Sequence, residues 1–96
     1  MFASIRTYEG VTDVAKVGQG VEKLILPILK ERTGFISYNL VNTGNNTVMS
    51  ISIFDTHDQA EAANTELREL VRSAMSSVMP YPPKAVIGEV ISHLGQ

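Results

Sequence analysis

A chain of 96 residues with a formal charge of −2, 44% hydrophobic and 19% charged, has the make-up of one small soluble domain spanning residues 1–96. Four Lys and four Arg scattered along it form no basic stripe for nucleic acid. No run approaches the ~20 apolar residues of a membrane span, and the absence of Cys removes disulfides, thiolate metal sites and Cys nucleophiles.

The first segment, Phe2 to Glu9, mixes Ile, Thr, Tyr and Phe and stops at Gly10, which predicts a strand. A helix follows, with Thr12 placed as its cap and Asp13 in its first turn. Val14, Val17, Val21, Leu24, Ile25, Ile28 and Leu29 form its apolar face. Gly18 and Gly20 weaken this helix and Pro27 should kink it before Thr33-Gly34 ends it. Phe35 to Val41 and Thr47 to Asp55 are β-rich runs around Asn42-Thr43-Gly44-Asn45-Asn46, a hairpin signal. Thr56 and Gln59 have capping-box spacing, and Ala60, Ala63, Leu67, Leu70, Val71, Ala74, Met75 and Val78 mark the second helix. Pro80, Pro82 and Pro83 end it, and Lys84 to His93 is rich in Val and Ile, as a last strand.

Strand, helix, strand, strand, helix, strand is the ferredoxin-like βαββαβ order: a four-stranded antiparallel sheet with both helices on one face. One strand parity carries Ile5, Ile36, Tyr38, Leu40, Met49, Ile51 and Ile53, and is expected to pack under the helices. The other carries Ser4, Arg6, Tyr8, Asn39, Val41, Ser50, Ser52 and Phe54 among others. That second face is too apolar to stay bare, so a second copy should cover it and make a homodimer. In the last strand Val86 and Val90 compete with Ala85, Ile87 and Ile91 for the core side.

Several local features match a known family across nearly the whole chain. They are Tyr8-Glu9-Gly10-Val11, Pro27 followed by Thr33-Gly34-Phe35, Tyr38, Val48 to Phe54, and Pro82-Pro83 ahead of Gly88-Glu89-Val90. With these the chain resembles the antibiotic biosynthesis monooxygenase-like branch of the dimeric α+β barrel superfamily. The resemblance implies a cofactor-independent oxygenase, in which a deprotonated aromatic substrate itself passes an electron to dioxygen. It implies a dry pocket, a proton acceptor and aromatic walls, and no bound cofactor. A related branch degrades haem with an Asn, a Trp and a His; this chain has no Trp and no Asn in its first strand, so haem degradation is not expected.

Tyr38 and His57 are the candidate catalytic residues: Tyr38 as a phenol on the helix-facing parity, His57 as a base at a helix start. Arg6, Tyr8, Asn39 and Met49 are candidate ligand contacts, Arg6 or Asn39 as an anion holder and Met49 as an adaptable apolar wall. Each also has a plainer reading, as core residue, interface polar group or solvated surface. Glu89 is expected to face solvent or to pair with Arg6. His57 and His93 lie far apart without clustered carboxylates, so no metal site is expected. Gly18-Gln19-Gly20 falls inside a helix and is no nucleotide fingerprint. Met1 to Arg6 shows no secretory pattern, and a cytoplasmic place is expected. The alternative to an oxygenase is a non-catalytic dimer that binds a small apolar ligand or serves as a structural module.

Overall fold

The computed structural model describes residues 1–95. Strand β1 (Phe2–Tyr8) leads into α1 (Val14–Gly20), a π-helical segment (Val21–Ile25) and α2 (Leu26–Leu29). Then come β2 (Phe35–Gly44), β3 (Thr47–Phe54), α3 (His57–Ala74) and β4 (Lys84–Glu89). The sheet is antiparallel with strand order β2-β3-β1-β4. This is the ferredoxin-like α+β arrangement that the element order implied.

The first helical rod is irregular, for a reason its sequence displays. Val17, Val21, Ile25 and Leu29 are all buried and recur every four residues, whereas an ideal α-helix would rotate that series by roughly 40° at each step. A wider π turn at Val21–Ile25 takes up the drift and keeps the four side chains against the sheet. The break therefore precedes Pro27, which sits at the opening of α2 instead of kinking the rod. Leu24 turns outward. The cap is Asp13, whose carboxylate accepts from the Lys16 amide at 3.1 Å. Thr12, the residue expected to cap, instead donates its hydroxyl to the Ser77 carbonyl at 3.0 Å.

The β2–β3 hairpin is tighter than expected. The strands continue to Gly44 and Thr47, and only Asn45 and Asn46 turn, with φ of 52° and 57°. Two consecutive positive φ values match the right-handed twist of the flanking strands, and Asn tolerates them best after Gly. At α3 the capping box is complete: Gln59 N donates to Thr56 Oγ1 at 3.2 Å, and Thr56 N to Gln59 Oε1 at 3.1 Å. Gly34, at φ +79°, lies against the same Gln59, where a Cβ would stand 1.9 Å from Oε1. Both backbone and packing require glycine there.

The core forms where Val17, Val21, Ile25 and Leu29 meet Ala60, Ala63, Leu67 and Val71 of α3 over the sheet. Phe35 and Phe54 close it edge to face at 5.8 Å. In β1 and β3 the parity under the helices is the reverse of the one expected from apolar content. Ser4, Arg6, Tyr8, Val48, Ser50, Ser52 and Phe54 point inward and are buried. Ile5, Met49, Ile51 and Ile53 lie on the outer face, partly exposed. A register shift between Phe35 and Ser37 resets β2, so that Tyr38 and Leu40 pair with Ser52 and Ser50 on the helix side. In β4, Ile87 pairs with Ser4 and packs on the core, while Val86 pairs with Ile5 and is exposed. The strand ends at Glu89, short of His93. The physical reason for the inversion is that the interior is polar: hydroxyls and a guanidinium satisfy one another there, and apolar count alone misassigns the face.

Candidate functional site

The centre of the inner face is a hydrogen-bonded cluster. Arg6, only 2% exposed, donates from Nε to Ser50 Oγ at 3.1 Å and from Nη1 to Asn64 Oδ1 at 3.2 Å. Ser4 Oγ donates to the same Asn64 Oδ1 at 3.0 Å. Strands β1 and β3 supply Arg6, Ser4 and Ser50 by simple alternation and direct pairing of Arg6 with Ser50 and of Ser4 with Ser52. Helix α3 supplies Asn64 from within its apolar stripe, between Ala60 and Ala63 on one side and Leu67 on the other. Asn64 Oδ1 thus accepts twice, and Asn64 also lines the adjoining groove.

No carboxylate approaches Arg6 among the described residues. The Glu89 partnership does not form, because β4 sets Ala85 opposite Arg6 and Glu89 opposite Phe2, and Glu89 is exposed. A buried guanidinium with only neutral partners is expensive to keep, since desolvation of an ion costs several kcal/mol and hydrogen bonds return part of it. Two phenols lie in its field. Burial pushes the Tyr8 hydroxyl above its ordinary value, opposed by Arg6. Burial raises Tyr38 likewise, again opposed by Arg6, with a smaller upward push from Tyr8. Both are thus neutral hydrogen-bond donors at physiological pH.

Tyr8 is 3% exposed and its hydroxyl has no hydrogen-bond partner in the protein. It forms part of the wall of a pocket of about 370 Å³ between the end of α3 and the proline-rich segment before β4, with Val71, Met79 and Pro82 as apolar walls. That volume suits one small aromatic molecule. A groove of about 470 Å³ runs beside it between α3 and β4, lined by His57, Asn64 and Arg68 among others. Tyr38 borders a third depression, of about 440 Å³, on the side of Leu26 and Pro27.

Of the residues singled out in the sequence, Arg6, Tyr8 and Tyr38 meet in this interior. His57 is exposed at the start of α3, its ring edge-on to Phe2 at 5.7 Å, and reaches the groove but not the cluster. Asn39 and Met49 lie on the outer face, where Asn39 pairs with Ile51 and Val41 with Met49, so the structure separates them from Arg6. Sequence reasoning passed over Asn64. Its signal was an amide set inside an otherwise apolar helical stripe. No group of three or more His, Asp or Glu is positioned to hold a metal among the described residues, and no helix is long and apolar enough to cross a membrane.

No protein-family model and no curated protein matches this chain. Solved structures do. A monooxygenase of Streptomyces coelicolor, in complex with the ligand nanaomycin D, is 21% identical over 99% of this chain and 91% of its own, with a TM-score of 0.74. SnoaB, a cofactor-independent oxygenase of Streptomyces nogalater, is 13% identical over 99% and 97%, with a TM-score of 0.73. A MhuD variant holding two manganese protoporphyrin IX molecules per active site is 11% identical over 100% of both chains, with a TM-score of 0.71. The chain shares the fold of these structures and of a putative antibiotic biosynthesis monooxygenase from Nitrosomonas europaea, the fold that the sequence resemblance implied.

Proposed function

We propose that the protein is a cofactor-independent monooxygenase acting on a small aromatic molecule bound in the Tyr8 pocket. The observation that carries this reading is the buried Arg6, without an acid, beside two neutral phenols, one of them unpartnered against an apolar pocket. Such an arrangement favours negative charge on a ligand oxygen: Tyr8 donates to it and the guanidinium behind the phenol stabilises it. A phenolic substrate held as its anion transfers one electron to dioxygen; the substrate radical and superoxide combine to a hydroperoxide, which loses water. The net change converts a ring CH2 and O2 into C=O and H2O. His57 lines the neighbouring groove and not the Tyr8 pocket, so the substrate's proton leaves to water as the anion binds. Tyr38, whose proton is held more tightly than usual by burial, borders a different depression and is not the base.

The outer face supports a homodimer. Ile5, Met49, Ile51 and Ile53 share it with Val41 and Val86, both exposed, and a second copy would remove this surface from water. The non-catalytic alternative has its own support, since Arg6 is sealed by Ser50 and Asn64 and the pocket stops at Tyr8. Oxygen uptake with hydroxylated naphthols and anthrones decides between them. Turnover that falls at least about tenfold in Tyr8→Phe, with binding weakened by the loss of one hydrogen bond, supports the oxygenase. Ligand binding without oxygen uptake leaves a binding module.

A further inference from the structure

The Tyr8 pocket and the groove beside β4 share one charged residue, Arg68 on α3. The carboxylates nearest to it along the helix are engaged elsewhere. Glu66 holds Arg32 through both its oxygens, and Glu69 holds Arg72 at 2.6 Å. Glu61, about two turns before Arg68, borders the groove but not the pocket. Arg68 meets no carboxylate among the described residues. The pocket wall therefore carries the guanidiniums of Arg68 and Arg72 and no acid, in a chain whose acids outnumber its Lys and Arg by ten to eight. Apolar walls such as Val71, Met79 and Pro82 focus that positive field into the space an occupant would fill.

We propose that the occupant of this pocket is an aromatic acid: its ring lies on Val71, Met79 and Pro82, an oxygen accepts from Tyr8, and its carboxylate is held by Arg68. Arg68 is chosen over Arg72 because Glu69 already neutralises Arg72. Its planar fork suits a carboxylate bidentately. The inference rests on the Tyr8 pocket being the ligand site, and it adds the charge of the ligand.

Calorimetric titration with a hydroxynaphthoate and the matching hydroxynaphthamide tests it. The wild-type protein is expected to bind the carboxylate more tightly by up to about fivefold, the upper range for a charge pair open to solvent. In Arg68→Gln that preference should vanish while the affinity for the amide stays unchanged, which also shows the variant to be folded. Raising salt should shrink the preference. Equal affinities in the wild type, or a preference that survives Arg68→Gln, overturns the proposal. Failure of both ligands to bind overturns it together with the assignment of the site. Preferential binding of the acid without oxygen uptake overturns the oxygenase alone.

Discussion

Replacing Arg6 by Met separates a structural arginine from one kept for a ligand. The guanidinium is 2% exposed and has two hydrogen bonds, to Ser50 and Asn64, with no carboxylate. Removing it relieves a desolvation penalty of several kcal/mol and gives up two charge-assisted hydrogen bonds worth about 1.5–3 kcal/mol each. Asn64 Oδ1 keeps the Ser4 donor at 3.0 Å, so only Ser50 loses a partner, at about 1 kcal/mol. Methionine follows the same unbranched path and fills most of the volume. Replacements of buried ionic groups by apolar ones are typically neutral or stabilising by 1–4 kcal/mol. With no acid present to offset the charge, a gain of about 2 kcal/mol is expected, or about 10 °C in Tm for a chain of this size. Urea denaturation followed by circular dichroism measures it, and the same variant should lose its ligand. A loss of more than about 1 kcal/mol would show that Arg6 holds the fold, and would refute the reading of it as a charge maintained at a stability cost for binding.

Alkaline pH tests the two tyrosines. Their folded pKa values lie above the ordinary 10.0, so above about pH 10 the unfolded chain binds fewer protons and stability falls as pH rises. Tyr8→Phe and Tyr38→Phe should each flatten that decline in pH-dependent denaturation, and an unchanged slope would show the phenols to titrate normally. Two glycines should behave oppositely to Ala. Gly34→Ala meets a positive φ and the Gln59 amide, and a loss of more than about 2 kcal/mol is expected from strain and a broken cap; Gly18 has open space in a helix, where Ala should add about 0.5–1 kcal/mol. Equal effects at the two sites in thermal melts would contradict this account. Sedimentation at micromolar concentration should find a dimer that Ile51→Glu converts to monomer, and a wild-type monomer would leave the outer face uncovered.

The order of elements and the capping box at Thr56 and Gln59 were legible in the sequence, because each follows from local conformational preference; the second helix, expected to run to the prolines through Val78, ends earlier, at Ala74. Even the unrest of the first helix was visible in Gly18, Gly20 and Pro27, although the four-residue repeat of Val17, Val21, Ile25 and Leu29 set its form as a π turn. The facing of β1 and β3 was decided only by tertiary structure. Alternation marks two faces but not which one the helices cover, and here Ser4 and Arg6 go inside where Asn64, sixty residues from Ser4, accepts from both, and Arg6 in turn donates to Ser50. The same long-range meeting makes the site. Arg6, Tyr8 and Tyr38 were each visible as chemistry-bearing residues, but a bulge in β2 decides that Tyr38 joins the other two and that Asn39 does not, while Met49 takes the outward parity of β3. Local sequence specifies elements within a few residues of itself, whereas which polar groups share one interior depends on packing between strands and a helix distant along the chain.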